Sequence, residues 1–294
     1  MTAESYVWLN GKFQAAEEAR VSLFDRGYLY GDGLFETMRA YQGQIFRLQQ
    51  HFDRLAAGAA ALGIELPYSC REIRHTIGNL LQANLLTEAY LRLTLSRGAG
   101  LGPLPPEQPK PTVSLIARPL RLPAPEEYEA GWGAVVVESA LAPGAQLSGL
   151  KSLCYLDKLM AKASAQAAGV QEALLVNARG EVTEASSSNV FIVRDKRLLT
   201  PPREAGLLAG ITRGVVMELA PALSLQVEER RLTPEEVLGA SEAFLTNSIM
   251  EIMPLVRLGG NSIGEGRPGP VARALQQSYQ SLMRRELELP MGDE

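Results

Sequence analysis

The chain has 294 residues, 46% of them hydrophobic and 21% charged, and 29 basic against 33 acidic side chains leave a net charge of −4. That is enough chain for a sizeable core, in two domains of ordinary size or one large one. No long run of either charge sign marks a nucleic-acid surface or a polybasic membrane patch, and no apolar run is long enough to span a bilayer.

In chain order, Tyr6 to Leu9 before Asn10-Gly11 reads as a strand entering a hairpin turn. Leu34 to Tyr41 and Gln44 to Leu48 read as strands joined at Gln42-Gly43. His51 to Gly63 reads as a helix with Phe52, Leu55, Ala59 and Leu62 on one face, and Ile73 to Ala83 as a second helix. Ala89 to Ser96 alternates as a strand, Tyr90, Arg92 and Thr94 on one side and Leu91, Leu93 and Leu95 on the other, and Thr112 to Ala117 is another strand. Gly98 to Pro111 is a Gly- and Pro-rich loop. A second Pro-rich stretch makes residues 119–127 the linker between a first domain, 1–118, and a second, 128–294.

The second half opens on the β-branched run Ala134 to Val137. Leu156 to Ala168 is an Ala-rich helix stopped by Gly169. Ala173 to Asn177 with Glu181 to Thr183, and Val190 to Val193 with Arg197 to Thr200, read as hairpins. Ile211 to Leu219 is a helix entered through Gly210, Glu242 to Thr246 a short strand, and Pro270 to Glu286 the last helix. No internal repeat is present.

Cys70 and Cys154 fit neither zinc nor disulfide spacing, and with only His51 and His75 a His-rich metal site is not expected. The first residues lack a basic and an apolar region of signal-peptide type. A cytoplasmic protein acting on a small molecule is expected, without nucleic-acid or membrane partners.

Two side chains carry the sharpest chemical possibility. Lys151, in Leu150-Lys151-Ser152-Leu153, is a lysine with apolar neighbours, which lower an amine's pKa and make it nucleophilic. Glu184, ahead of Ser186-Ser187-Ser188-Asn189, is a carboxylate able to hold a proton on a pyridine nitrogen. Pyridoxal phosphate chemistry needs that pair. Taken singly, the plainer readings lead: Lys151 as a surface lysine in a connecting loop and Glu184 as a turn carboxylate. Lys158 and Lys162, one turn apart, suit a solvated helix face. Gly206 to Arg213 enters a helix whose free N–H groups and Thr212 hydroxyl make either a phosphate seat or an ordinary cap. Arg54 is a solvated charge or a phosphate fork. Arg97 meets a substrate carboxylate or salt-bridges locally. Thr246-Asn247-Ser248 supplies polar donors or is a polar loop. Gly264-Glu265-Gly266-Arg267-Pro268-Gly269 matches a dinucleotide-binding glycine pattern, but it contains Pro268 and too little chain follows for a βαβ unit.

Taken in order, Asp25-Arg26-Gly27 with Tyr30-Gly31-Asp32-Gly33-Leu34-Phe35-Glu36, His51-Phe52-Asp53-Arg54-Leu55, Lys151 with Tyr155-Leu156, Val182-Thr183-Glu184 through Phe191, and Leu208-Ala209-Gly210-Ile211-Thr212-Arg213 resemble the class IV aminotransferase family. The resemblance covers nearly the whole chain. It implies an α/β (α+β) protein of two domains with the fold type IV architecture, pyridoxal 5'-phosphate at the domain interface, and a homodimer. By the same resemblance Lys151 is the Schiff-base lysine and proton shuttle, and Glu184 the partner of the ring nitrogen. Arg54, Ile211, Thr212 and Ser248 form the phosphate cup, Tyr155 faces the phenolic oxygen, and Phe35, Arg97 and Asn247 line the substrate pocket.

Within that family, Thr246-Asn247-Ser248-Ile249-Met250-Glu251-Ile252-Met253-Pro254 and Ser22-Leu23-Phe24-Asp25-Arg26-Gly27-Tyr28-Leu29-Tyr30-Gly31 look like 4-amino-4-deoxychorismate lyase, which releases pyruvate and 4-aminobenzoate. That lyase activity is the first expectation. The alternative is a transaminase of D-amino acids or branched-chain L-amino acids. Lys151-Ser152-Leu153 and Glu184 through Phe191 resemble the D-amino acid enzymes, but the histidine those enzymes carry soon after the Arg97-Gly98 position is absent here. A non-catalytic binding protein on the same fold is a third reading, opposed by the intact Lys151 and Glu184.

Overall fold

The computed structural model describes residues 5–139 and 147–290. These residues fall into two compact units. One runs to Arg121 and takes in Leu150–Cys154 and Glu286–Leu289; the other comprises the described parts of Leu122–Gly149 and Tyr155–Arg285. No helix among the described residues is long and apolar enough to cross a membrane.

The first unit contains, in chain order, β1 (Tyr6–Leu9), β2 (Lys12–Ala15), α1 (Arg26–Tyr30), β3 (Gly33–Tyr41), β4 (Gln44–Ile45), α2 (Leu48–Leu62), α3 (Cys70–Ala83), β5 (Ala89–Ser96) and β6 (Thr112–Pro119). Its six strands form one antiparallel sheet in the order β2-β1-β6-β5-β3-β4. The hairpin between β1 and β2 turns on Asn10 and Gly11, both at positive φ (48° and 89°), the conformation that a two-residue hairpin demands and that Asn-Gly adopts readily. Alternation on β5 puts Leu91, Leu93 and Leu95 into the core and leaves Tyr90, Arg92 and Thr94 half-buried on the other face. Leu55 and Ala59 of α2 and Ile73, Ile77 and Leu80 of α3 close that core over Met38, Leu91 and Leu115.

The strand expected over Gln44–Leu48 ends at Ile45, because Arg47 turns left-handed (φ 56°) and Leu48 already belongs to α2. In the loop after β5, Gly98 has φ +88°, and a Cβ there would lie 1.8 Å from the Lys110 carbonyl oxygen. Only glycine lets the two ends of the 98–111 loop approach so closely.

The second unit contains α4 (Pro125–Ala130), β7 (Trp132–Glu138), α5 (Leu156–Ala167), β8 (Glu172–Val176), β9 (Val182–Ala185), β10 (Asn189–Arg194), β11 (Arg197–Thr200), α6 (Ile211–Leu219), β12 (Gln226–Glu229), α7 (Pro234–Leu238), β13 (Glu242–Asn247), β14 (Glu251–Leu258), β15 (Asn261–Ser262) and α8 (Pro270–Glu286). Its strands form a mixed sheet in the order β12-β11-β10-β13-β14-β7-β8-β9, with β15 beside β14. β7 is parallel to β14 and β8, and β11 to β12. The Pro-rich stretch at 119–127 is structured at both ends. β6 runs through Pro119, and Pro125 opens α4 at a position where its missing N–H costs nothing. At the start of α8, the Glu242 carboxylate accepts from the Val271 and Ala272 N–H groups, each at 3.0 Å, and so serves as a cap supplied from β13.

Candidate active site

Lys151 belongs to the first unit although it lies far along the chain. Its segment pairs with the start of β3: the Phe35 N–H donates to the Lys151 carbonyl at 2.9 Å, and the Leu153 N–H donates to the Gly33 carbonyl at 2.9 Å. Gly33 allows this closeness, since a Cβ there would sit 2.8 Å from Leu153 Cδ1 as well as 2.4 Å from the Leu95 oxygen of β5. The Lys151 Nζ lies 4.6 Å from the centroid of the Phe35 ring, and the Arg92 guanidinium carbon lies 3.8 Å from the same centroid. Phe35 is thus an apolar ring flanked by two cations.

Glu36, the next residue on β3, points to the other side and is 1% exposed. His51 and Arg54, three apart on α2 and so on one face of the helix, both close on it. Arg54 Nε donates to Oε1 at 2.8 Å and Nη2 to Oε2 at 2.6 Å, and His51 Nδ1 lies 2.7 Å from Oε2. Burial pushes the Glu36 carboxyl up, but the Arg54 charge and the hydrogen bonds of His51 and Arg54 overcome it and bring the pKa down to about 2. Burial, against the pull of Glu36 and with the help of the Arg54 and Lys151 charges, lowers the His51 imidazole below its ordinary value. A neutral imidazole therefore donates to an ionised carboxylate that in turn orients the guanidinium fork of Arg54.

Arg97 differs from its expected role. Nε and Nη2 donate to the two Asp32 oxygens at 2.8 and 3.1 Å, Nη1 to the Gly63 carbonyl at 2.9 Å and Nη2 to the Leu62 carbonyl at 2.8 Å. A buried guanidinium with these donors engaged inside the protein does not read as a substrate trap; the local salt bridge is the correct reading. Arg26 shares the same Asp32 (2.7 Å) and donates to the Gly102, Pro103 and Leu104 carbonyls, tying the 98–111 loop to α1.

In the second unit, Glu184 on β9 is buried, with Lys158 Nζ 2.7 Å from Oε1 and the Leu208 N–H donating to Oε2 at 3.3 Å. The solvated face expected for Lys158 is corrected here, because α5 turns this lysine inward onto Glu184, its side chain 17% exposed. Lys162 is 45% exposed, close to its expected setting. The Tyr155 hydroxyl donates to the Ser186 carbonyl at 3.2 Å. The hydroxyls of Ser186 and Ser187 donate to Glu172, a fully buried carboxylate on β8 that fixes the turn after Glu184.

Asn247 is also corrected. Its Oδ1 accepts from the Ile249 and Met250 N–H groups, each at 2.9 Å, and its Nδ2 donates to the Ser187 carbonyl at 3.1 Å. The side chain builds the turn that carries Ser248 instead of reaching toward a substrate.

The start of α6 fits a phosphate. Gly210 is its N-cap and supplies no side-chain cap. The buried Thr212 Oγ1 has no hydrogen-bond partner among the described residues, an arrangement that a buried hydroxyl tolerates poorly. A Cβ on Gly210 would lie 2.0 Å from Asn189 Oδ1, and Asn189 in turn holds the Leu208 carbonyl at 2.8 Å. Free N–H groups, a waiting hydroxyl and a glycine approach make an anion seat at this helix end.

Glu36, His51, Arg92, Lys158 and Glu172 were not among the expected site residues. The i, i+3 spacing of His51 and Arg54 is the one signal in the sequence that points to a shared partner. Pairing across distant segments left no trace for the others.

The lysine beside an apolar ring in the first unit, and the buried carboxylate and helix-end anion seat in the second, are groups of the kind that pyridoxal phosphate chemistry uses. The family model described as amino-transferase class IV matches residues 33–258. The chain is 39% identical to a putative branched-chain-amino-acid aminotransferase of Methanocaldococcus jannaschii, over 94% of this chain and 96% of that one. It is 33% identical to a D-alanine aminotransferase of Bacillus licheniformis, over 94% and 96%. Among solved structures, the branched-chain amino acid aminotransferase of Escherichia coli superposes with a TM-score of 0.91 at 31% identity, covering 95% of each chain. The enzyme of Thermobaculum terrenum, solved in its pyridoxal phosphate form, superposes with a TM-score of 0.86 at 28% identity, over 96% and 95%. The chain belongs to the class IV aminotransferases. It is an enzyme whose cofactor is pyridoxal phosphate, and the α/β architecture of fold type IV is the one expected.

Proposed function

We propose that this chain is a transaminase of branched-chain L-amino acids. The observation that carries the reading is the 39% identity, end to end, with the putative branched-chain enzyme of Methanocaldococcus jannaschii. The setting of Phe35 supports it: an apolar ring next to Lys151, with the Arg92 cation on the same ring to meet a carboxylate. The relatives named above are aminotransferases and not aminodeoxychorismate lyases, so the transaminase alternative fits them better.

Pyridoxal phosphate supplies an aldehyde that binds the substrate amine and a ring that takes up the electrons of the broken Cα–H bond. In this reading the Lys151 Nζ anchors the cofactor and afterwards moves the Cα proton. Glu184 holds the ring nitrogen, Tyr155 faces the phenolic oxygen, and Arg54, Ile211, Thr212 and Ser248 hold the phosphate. Glu36 and His51 act through Arg54 by fixing its fork.

The test is a panel with 2-oxoglutarate as acceptor: L-leucine, L-valine and D-alanine, with aminodeoxychorismate tried without acceptor. Keto acid from L-leucine and L-valine is the expected result. A D-amino acid enzyme, the second reading, has the 33% identity to the Bacillus licheniformis protein in its favour, and keto acid from D-alanine alone would establish it. Pyruvate and 4-aminobenzoate from aminodeoxychorismate would restore the lyase.

The reading includes a homodimer. Leu23, Phe24 and Tyr28 stand 71%, 57% and 72% exposed around α1, more neighbouring apolar surface than a monomer ordinarily leaves in water. Light scattering on the purified holoenzyme is expected to return twice the 31.9 kDa chain mass, and Phe24→Asp with Tyr28→Asp to shift it toward monomer. A wild-type monomer at micromolar concentration would overturn the dimer.

A further inference from the structure

The Lys158–Glu184 pair calls for a reason. The ammonium sits 2.7 Å from Oε1, and the two side chains are only 17% and 9% exposed. The other oxygen accepts from the Leu208 N–H at 3.3 Å. A carboxylate offers roughly four lone-pair positions, so this one retains capacity for a third donor. In the proposed function that donor is the protonated ring nitrogen. A fixed cation on the same carboxylate lowers the carboxylate's affinity for a proton and repels a second positive charge nearby.

We infer that Lys158 is a positioning residue that holds Glu184 toward the cofactor's ring nitrogen and loosens the grip of Glu184 on the ring proton. This inference rests on the transaminase reading, in which Glu184 is the ring-nitrogen partner. The effect limits how strongly the ring draws electrons, and so bears on how readily the Cα proton leaves.

The charges around Lys158 are few. Tyr155, whose ring centroid is 5.6 Å from Nζ, and Asp157 belong to the same helix turn, and Asp157 accepts from the Ser139 hydroxyl at 2.8 Å. α5 packs on β7 and β8, which carry Glu138 and Glu172, and Glu172 has Lys162 at 3.5 Å. Burial alone would lower the Lys158 ammonium, but the Glu184 charge, with Tyr155 and Asp157, holds it above its ordinary value. The cation therefore persists through the neutral range.

The experiment is nitrogen NMR of the holoenzyme loaded with ring-15N pyridoxal phosphate, followed against pH. The ring-nitrogen shift reports its protonation directly, which a purely structural ion pair would not move. In Lys158→Met the ring nitrogen is expected to keep its proton to a pH about one unit higher than in wild type. Lys158→Gln, which keeps a donor on Glu184 without the charge, is expected to shift at least as far, and Lys158→Arg to titrate like wild type. Glu184→Gln is expected to lose the ring proton at neutral pH. Identical titrations of wild type, Lys158→Met and Lys158→Gln, with Glu184→Gln still shifted, overturn the role of Lys158 and leave the transaminase reading standing. An unmoved resonance in Glu184→Gln overturns both.

Discussion

Replacing Lys151 by alanine is expected to abolish borohydride trapping of the cofactor on the protein and to reduce transamination by at least about a thousandfold, the range of a lost proton-transfer group with its covalent anchor. The fold has no reason to follow. The bonds that dock this segment on β3 are main-chain ones, the Lys151 carbonyl to the Phe35 N–H and the Gly33 carbonyl to the Leu153 N–H, and alanine keeps both. Denaturant unfolding should therefore stay near wild type while mass spectrometry finds no cofactor adduct after reduction. An adduct recovered on another lysine, with activity retained, would remove Lys151 from the site. Lys158 is the lysine to inspect first, since it too is shielded from solvent.

Glu36 carries the second large effect. Glu36→Leu takes the carboxylate from the half-buried Arg54 guanidinium and the Glu36 acceptor from the buried His51 Nδ1. Breaking a buried pair from one side costs roughly 3–5 kcal/mol, so the variant is expected to unfold at clearly lower denaturant and to bind pyridoxal phosphate more weakly, because the Glu36 carboxylate no longer orients the Arg54 fork. Glu36→Gln keeps shape and part of the hydrogen bonding and should lose less. The wild-type pH dependence follows from the same cluster. The Glu36 pKa lies at about 2 in the folded chain against an ordinary 4.5. The unfolded chain therefore takes up a proton that the folded one refuses, and stability falls as pH drops from about 4.5 toward 2. His51, lowered from 6.5, acts in the same direction, with its loss beginning as pH falls through about 6.5. In Glu36→Gln the acid-range loss should shrink. A denaturation midpoint equally sensitive to acid in wild type and Glu36→Gln would show that this carboxylate is not held ionised by its partners.

Local pattern accounts for much of what was readable. β5, β11, α6 and α8 lie where alternation, turn residues and Gly210 or Pro270 place them, because a short strand or a capped helix is decided by neighbours a few residues away. α4 was hidden by the prolines around it, since a proline at a helix start looks the same as one in a linker. Arg97 and Asn247 went astray for a related reason. The sequence shows a donor but not how many acceptors the fold brings to it, and here Asp32, Leu62, Gly63, Ser187 and two turn amides use those groups.

By itself the sequence determined the family and with it the cofactor, because ordered motifs around Lys151, Glu184 and Gly210-Ile211-Thr212 are spaced along the chain and need no coordinates to be seen. Only the tertiary structure decided which charges meet. Glu36 with His51 and Arg54, Arg92 with Phe35, and Lys158 with Glu184 come from separate segments. Their chemistry arises from burial and from distances of 2.6 to 3.8 Å, and pairing and desolvation are properties of packed space, not of position along the chain.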